Sequence, residues 1–336
     1  MMIMMKKEEI SMNEKLEIRS LDQAERMITS VSEEREQEVV LYQCVDSILK
    51  EGNTQVIGSA DSFHNVAVAC VKIAEDYLSA CEIVEKGITI HPSNTDLLAD
   101  AIKYGYKCGN RELCEKYLSV LNEIDKRCWT WRAFSFVIDY IVEFYVSDNG
   151  MTELLHTEEE LDALVEQYKK RYPDNEDSYF SEYEIYNRFG DKERAFDVLK
   201  KAMENINFCP KCWLRYADEM VDLGLFSEAV KPVMKLCNAS NASDSVNMSY
   251  VYYLRGICQI ELLNVGSDNS EEDIFGEIEY DLEKVELVYK SFYKALQSKD
   301  IYGNVRDKCW TRIREWAIRT NTECPAYLES MVGCEQ

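Results

Sequence analysis

The chain has 336 residues, of which 62 are acidic and 38 basic, giving a formal net charge of -24. A surface this acidic repels phosphate backbones and anionic lipid headgroups, so the composition argues against direct nucleic-acid binding and against attachment to acidic membranes. Five prolines and 13 glycines are too few for the many tight turns of an all-β protein, and we therefore expect an all-α fold.

The N-terminal stretch MMIMMKKEEISMNEK, residues 1–15, is predicted to be a disordered extension. It carries charges where a signal peptide needs its apolar segment, and no run in the chain approaches the roughly 18 apolar residues of a membrane helix. We therefore expect a cytoplasmic protein that is neither exported nor inserted in a membrane. Codons for Lys7 to Glu9 could form a purine-rich ribosome-binding sequence, so we hypothesise a bacterial gene whose translation starts at Met12.

Residues 16–60 are predicted to form N-terminal capping helices. An apolar pattern of helical period then continues over residues 61–300. Its clearest part is DYLSACEIVEKGITIHPSN, residues 76–94, in which the small residue Ala80 lies on a helix that ends before a turn. Cys114 follows Ala80 by 34 residues and has a similar apolar pattern around it. A fixed offset of this length indicates a repeating unit.

The offset of 34 residues returns in the second half of the chain, between two segments that share a turn glycine, a small residue and two further positions on one helix face. The matched positions are Gly190, Ala195, Leu199 and Ala202 in the first segment and Gly224, Ala229, Val233 and Leu236 in the second. Small residues let the helices of a hairpin approach closely, and glycine at the turn adopts a conformation that other residues avoid. Each hairpin leaves an apolar face that the next one buries, so the pattern predicts an array of hairpins.

This 34-residue register of helix–turn–helix units resembles the tetratricopeptide repeat (TPR). The resemblance covers residues 61–300 and implies an α-solenoid of roughly six or seven antiparallel helical hairpins, wound into a right-handed superhelix. Insertions interrupt the array near residues 147–156 and 264–278, and the pattern over residues 128–146 predicts one long first helix. The last segment, residues 301–336, is predicted to be a C-terminal capping hairpin.

The first helices of TPR hairpins line a groove that binds an extended peptide or a partner helix, and the resemblance implies which side chains point into it. These partner-binding candidates are Lys103, Tyr106, Lys107, Phe180, Glu184, Asn187, Arg188, Leu214, Asp218 and Asp222. Their mixture of aromatic, amide and charged groups suits a peptide ligand. The set lacks the repeated Lys and Asn residues with which some family members hold a C-terminal carboxylate, so the sequence does not predict that ligand.

Cys209 and Cys212 form a Cys-Pro-x-Cys motif that allows three interpretations. A structural zinc site needs further ligands, and with no second such pair and only three histidines we predict neither a metal site nor another cofactor. A thiol redox site is the second interpretation, because a helix N-terminus lowers the pKa of a thiol. In the third interpretation the motif is structural: Pro210 starts a helix and Trp213 packs that helix into the core.

The remaining cysteines are expected to be free thiols in a reducing compartment, since 13 is an odd count in a chain without a signal peptide. A Cys-Trp pair recurs, and we expect its tryptophans in the core. The pairs are Cys128-Trp129, Cys212-Trp213 and Cys309-Trp310. No nucleophile motif, phosphate-binding loop or metalloprotease motif is present in the sequence, so we do not predict an enzyme.

We therefore expect a cytoplasmic, non-catalytic scaffold or adaptor that binds a protein or a peptide in a TPR-like groove. The excess of acidic residues favours a basic partner. The alternative is a peptide-responsive regulator similar to the peptide-sensing tetratricopeptide proteins of Gram-positive bacteria. Such a regulator would act on another protein, since we find no N-terminal helix-turn-helix segment for binding DNA.

Overall fold

The computed structural model describes residues 18, 20–50, 57–143, 158–267, 280–298, 301 and 303–332. Within these ranges the chain is helical, and the only β-type pairing is an isolated bridge between Ser20 and Ile57. The all-α prediction is therefore confirmed. The disordered extension at residues 1–15, the start at Met12 and the insertion at 147–156 fall outside the described residues, as does most of the insertion at 264–278.

The chain divides into two compact units, residues 1–173 and 174–336. In its described part the first unit has eight α-helices, and a short 3-10 helix, Lys126–Cys128, precedes the seventh. The helices are α1 (Leu21–Ser30), α2 (Glu34–Leu49), α3 (Ala60–Ala74), α4 (Tyr77–Ile90), α5 (Thr95–Lys107), α6 (Arg111–Glu123), α7 (Trp131–Ile141) and α8 (Glu158–Arg171).

The second unit also has eight α-helices in its described part, with a 3-10 helix, Ala242–Asp244, before the fifth of them. The helices are α9 (Glu176–Phe189), α10 (Lys192–Asn205), α11 (Pro210–Asp222), α12 (Phe226–Asn238), α13 (Met248–Ser267), α14 (Leu282–Gln297), α15 (Gly303–Thr320) and α16 (Ala326–Val332). In each unit, helices that follow one another along the chain pack as adjacent pairs. This arrangement is compatible with a helical repeat.

Contacts between first helices link the pairs within each unit. In the first unit α3 packs against α5 and α5 against α7, in addition to their own partners α4 and α6. In the second unit α9 packs against α11, α11 against α13 and α13 against α15. Two side-chain hydrogen bonds between neighbouring pairs join residues whose separation is close to the 34-residue offset: Tyr183 and Glu219 are 36 residues apart, and Tyr250 and Asp218 are 32 apart.

The turns within the pairs follow the sequence signals. Gly109, Gly190 and Gly224 have φ angles of +69°, +83° and +71°, a left-handed conformation that side chains with a Cβ disfavour. Where α10 begins, the Asp191 carboxylate accepts a hydrogen bond from the Arg194 backbone N–H at 3.0 Å. Asn110 caps α6 in the same way, through a hydrogen bond from the Leu113 N–H. These caps replace hydrogen bonds that the first turn of a helix lacks.

Small residues lie where the helices approach most closely. Ala195 and Ala229, the matched positions of two repeats, are fully or almost fully buried. At Gly256 on α13, an added Cβ would lie 2.7 Å from ring atoms of Phe292 on α14. The contact therefore requires glycine, because heavy atoms that are not bonded do not approach so closely.

The tryptophans of the repeated Cys-Trp pairs are core residues to different degrees. Trp129 is fully buried, and its Nε1–H donates to the Ile124 carbonyl at 3.2 Å. Trp213 is 5% exposed, whereas Trp310 is only partly buried against the core of the second unit. The prediction of one long helix that begins at residue 128 is wrong at its start. Trp129 precedes α7, which begins at Trp131, because the Thr130 hydroxyl accepts the Ala133 N–H and caps the helix there.

The longest described helix, α13, has 20 residues. Across the described ranges, every helix is too short or too polar to cross a membrane.

Candidate functional site

A cavity of about 520 Å³ opens within the second unit, between helices α9, α11, α13 and α15. We call it the second-unit cavity. It is lined by Phe180, Lys211, Leu214, Arg215, Asp218, Ser245, Val246, Asn247, Tyr250, Asn304, Val305 and Lys308. Each of the four helices is the first member of its pair, so the cavity lies on the face where a groove of stacked first helices is expected.

The sequence-derived candidates divide between the two units. Phe180, Leu214 and Asp218 line the second-unit cavity. The other candidates of the second unit lie on the same helices α9 and α11, or at the end of α11, but outside the lining; they are Glu184, Asn187, Arg188 and Asp222. The remaining three belong to α5 of the first unit and are Lys103, Tyr106 and Lys107.

The α5 candidates have intramolecular contacts within the first unit. The Lys103 Nζ lies 4.1 Å from the ring centroid of Phe136 on α7, and burial lowers the pKa of this lysine. The Lys107 Nζ lies 5.1 Å from the ring centroid of Tyr106, its neighbour in sequence. Lys103 therefore forms a cation–π contact with the adjacent first helix, α7. The exposed Lys107 forms one with Tyr106 of its own helix.

Most of the cavity lining was missed by the sequence reasoning. Lys211 and Arg215 share a helix face with Leu214 and Asp218, at spacings of three and four residues, and this spacing was a signal that could have found them. Asn304, Val305 and Lys308 come from α15, in the segment interpreted as a cap. The fold thereby places Lys211, Lys308, Asn247 and Asn304 around one cavity, although no repeated Lys and Asn set was visible in the sequence.

A chain of hydrogen bonds fixes the wall formed by α9 and α11. The Arg215 Nε–H donates to the Tyr183 hydroxyl at 2.6 Å, and that hydroxyl donates to the Glu219 Oε1 at 2.7 Å. The Arg215 guanidinium also lies 3.5 Å from the Glu219 carboxylate, between Nη2 and Oε1. Burial, and then the bond to Glu219, raise the pKa of Tyr183, so the phenol remains a hydrogen-bond donor at neutral pH.

Asp218 connects α11 to α13. It accepts a hydrogen bond from the Tyr250 hydroxyl and forms an ion pair of 3.4 Å with the Arg215 Nη1. Burial raises the pKa of Tyr250, and the Asp218 carboxylate raises it further. Because Asp218 already has these two partners, its charge is largely compensated inside the wall of the cavity.

The start of α11 is anchored to α9 by Lys211. Its backbone N–H donates to the Glu176 Oε2 at 3.0 Å, and its ammonium forms an ion pair with Asp177. Burial raises the pKa of the Glu176 carboxyl to about 7, although the Lys211 N–H and ammonium favour the ionised form. Of the cations that line the cavity, Lys211 and Arg215 are therefore both ion-paired within the unit.

Lys308 differs from these two cations. Its side chain is exposed at the cavity, and it forms no ion pair with any residue that the structure describes. Asn304, also exposed, lies one turn earlier on the same face of α15. Near them, the apolar part of the lining is formed by Phe180, Leu214, Val246 and Val305. The cavity thus combines an apolar surface with one available positive charge and an amide.

Cys209 directly precedes α11 and Cys212 lies in its first turn, and both side chains are fully buried. Cys209 is the N-cap residue and Pro210 the first residue of α11, as the structural interpretation expects. Burial raises the pKa of Cys209 to about 12 and also raises that of Cys212, so both thiols stay protonated at neutral pH. This environment is unsuited to a nucleophilic thiolate.

The described ranges contain no cluster of three or more His, Cys, Asp or Glu side chains that could hold a metal ion. No protein-family model matches the chain, and no curated protein is significantly similar to it in sequence. The geometry of the second-unit cavity is therefore the basis for a functional proposal.

Proposed function

We propose that this protein is a non-catalytic scaffold that binds a short extended segment of a partner protein, or a peptide, in the second-unit cavity. The observation that supports the proposal most directly is that this cavity is lined by the first helices of four successive pairs. We also propose that the pairs form a TPR-like, right-handed α-solenoid, in which such first helices line the concave groove.

The residues of the lining support a proposal for the chemistry of the bound segment. Phe180, Leu214 and Val305 offer an apolar surface for one or two aliphatic or aromatic side chains. Lys308 offers a positive charge beside the Asn304 amide, while the other lining cations have acidic partners already. We therefore propose a ligand segment in which a carboxylate follows an apolar side chain.

The net charge of -24 acts over longer distances than the contacts inside the cavity do. It favours basic partners during diffusional approach, as the sequence suggests, but charges separated by more than about 8 Å are screened at physiological ionic strength. At contact distance the local groups of the cavity decide which segment is held. A partner that is basic overall and carries one apolar–acidic segment would satisfy both conditions.

The test starts from a library of random dodecapeptides displayed on phage and selected against the full-length protein. Affinities of the selected peptides are then measured by fluorescence anisotropy for wild type and for Leu214→Asp, which puts a charge into the apolar surface. Loss of at least about tenfold in affinity is expected, since apolar anchors in desolvated pockets dominate binding energy. The matched control is Leu223→Asp, at the end of the same helix, where the side chain is 65% exposed.

Three outcomes would contradict the proposal, of which the first two concern wild type and Leu214→Asp. One is selection of no peptide above background, and the other is equal binding to wild type and Leu214→Asp when circular dichroism shows that both are folded. Equal losses in Leu214→Asp and Leu223→Asp would also count against it, because Leu223 lies outside the cavity lining.

The carboxylate preference has its own pair of variants. Lys308→Glu reverses the charge at the cavity, and Lys201→Glu reverses an exposed charge on α10, outside it. We expect Lys308→Glu, but not Lys201→Glu, to weaken the binding of peptides that contain an acidic residue. When that acidic residue is replaced by its amide, the two variants should bind the peptide equally well. If Lys308→Glu and Lys201→Glu bind the acidic peptides equally well, the carboxylate of the peptide does not contact Lys308.

A further inference from the structure

Two thiols of the first unit lie in contact at the end of α5. The Sγ atoms of Cys81 on α4 and Cys108, the residue that ends α5, are 4.0 Å apart. Cys108 is exposed, whereas Cys81 is 4% exposed. A third cysteine, Cys114 on α6, is buried and its thiol donates to the Ile102 carbonyl at 3.3 Å. None of these residues lines the second-unit cavity.

The separation is within reach of a covalent bond. A disulfide has an S–S length of about 2.05 Å, and two sulfur atoms at 4.0 Å are already close to van der Waals contact. Cys108 directly precedes the turn at Gly109, whose φ is +69°, so its backbone belongs to a connection and not to the middle of a helix. Closing the remaining distance requires changes of side-chain torsion and of this connection.

We propose that Cys81 and Cys108 are a reversible redox modification site, which forms an intramolecular disulfide with a low-molecular-weight disulfide as the oxidant. Cys108 loses its proton and its sulfur attacks one sulfur of the oxidant, which releases the first small thiol. Cys81 then loses its proton and attacks the Cys108 sulfur of this mixed disulfide, which releases the second small thiol. The two protein thiols lose two electrons and two protons, and the oxidant disulfide is reduced to two thiols.

The roles of the two cysteines follow from their positions. Cys108 can meet an oxidant because it is exposed, and the buried Cys81 is held behind it. Burial raises the pKa of both thiols, and for Cys108 the hydrogen bond with Cys81 offsets part of this rise. Cys108 is therefore the attacking residue and Cys81 the resolving residue. A slow reaction is expected, because little thiolate is present at neutral pH.

The disulfide would close a loop that contains the part of α4 after Cys81, the connection that follows it, and α5. Cross-linking residues that are 27 apart lowers the entropy of the unfolded chain and so stabilises the first unit. A loop of this size is expected to raise the midpoint of thermal unfolding by about 5 to 10 °C. Oxidation would then tie α4 to the end of α5, the helix that carries Lys103, Tyr106 and Lys107.

The experiment uses the full-length protein and oxidised glutathione as the probe. After incubation, remaining thiols are alkylated, the protein is digested without reductant, and peptides are identified by mass spectrometry. We expect a Cys81–Cys108 linked pair that is two hydrogens lighter than the separate peptides, and a raised unfolding midpoint that dithiothreitol reverses. Cys108→Ser should abolish both effects. Cys128→Ser, which removes another exposed cysteine of the same unit, should leave both unchanged.

A second variant tests the order of the steps. In Cys81→Ser, glutathione should remain attached to Cys108, because the resolving thiol is missing. Circular dichroism of both variants establishes that they are folded. The proposal is overturned if wild-type Cys81 stays fully alkylated after prolonged oxidation, if Cys108 pairs with Cys114 instead, or if Cys108→Ser shows the same rise in unfolding midpoint as wild type.

Discussion

Glu176 is a carboxyl group whose ionisation the fold changes strongly. Its carboxyl has an ordinary pKa of 4.5, which burial at the start of α9 raises to about 7. Between these values the folded protein binds more protons at this site than the unfolded chain does. The stability that Glu176 contributes is therefore complete below about pH 4.5 and is lost as the pH rises through 7.

Replacing Glu176 by Gln should remove this pH dependence. The amide oxygen can still accept the Lys211 backbone N–H, which Glu176 accepts at 3.0 Å, but it carries no charge to be desolvated. We expect Glu176→Gln to be more stable than wild type by about 1 to 3 kcal/mol at pH 8 and nearly equal at pH 4.5, since one pKa unit corresponds to about 1.4 kcal/mol. Urea unfolding at the two pH values measures the difference.

The control for this prediction is Glu204→Gln, which removes an exposed carboxylate from α10. This variant should follow the wild-type pH profile. A Glu176→Gln variant that is less stable than wild type at pH 8 would mean that the carboxylate, and not the carboxylic acid, is the form that the fold prefers.

Burial also decides between the interpretations of the Cys209 and Cys212 motif, and the sequence alone could not supply it. The sequence lacks the further ligands of a zinc site, but the pattern of two cysteines around a proline is typical both of a redox pair and of a helix start. Only the three-dimensional packing shows that both thiols are fully buried, with their pKa values raised. A helix N-terminus lowers a thiol pKa, but here desolvation is the larger effect.

At the scale of elements, the contact between α13 and α14 depends on the missing side chain of Gly256. A Cβ at this position would lie 2.7 Å from the ring of Phe292, which is fully buried. Alanine normally favours a helix over glycine by about 1 kcal/mol. We expect the steric conflict, about 1 to 3 kcal/mol for overpacking, to outweigh that gain, so that Gly256→Ala lowers the free energy of unfolding.

A double-mutant cycle with Phe292→Leu isolates this contact. The smaller side chain leaves room for the Cβ, so in the Phe292→Leu background the Gly256→Ala change should be neutral or stabilising. The sign of its effect on the free energy of unfolding should thus differ between the two backgrounds. Additive effects of the two changes would show that ring contact is not the reason for glycine at this position.

The helices and their turns could largely be predicted from the sequence, whereas the lining of the cavity could not. The match of Gly190 to Gly224 and of Ala195 to Ala229 depends on local turn geometry and on contacts within one pair, so a fixed offset reveals it. The lining of the cavity depends instead on how successive pairs stack. Phe180 and Leu214 were found through the resemblance, whereas Tyr250 and Lys308 follow less regular connections, where the 34-residue register is lost.

At the scale of the whole molecule, the second unit contains every residue of the proposed binding site. The lining of the cavity extends from Phe180 to Lys308, within residues 174–336. This unit has its own buried core, which includes Tyr289, Phe292 and Trp316. A helical array is stable when several pairs cover each other's apolar faces, and four successive pairs satisfy this condition.

We therefore predict that residues 174–336, produced alone, fold and keep the binding activity. The fragment should show helical circular dichroism and one cooperative urea transition, and it should bind the peptides selected with the full-length protein within about threefold of the same affinity, a difference of less than 1 kcal/mol. Residues 1–173 are the matched control and should bind none of these peptides. A folded fragment 174–336 that has lost binding would place the site elsewhere in the chain, while a fragment without a cooperative transition would show that this unit does not fold independently.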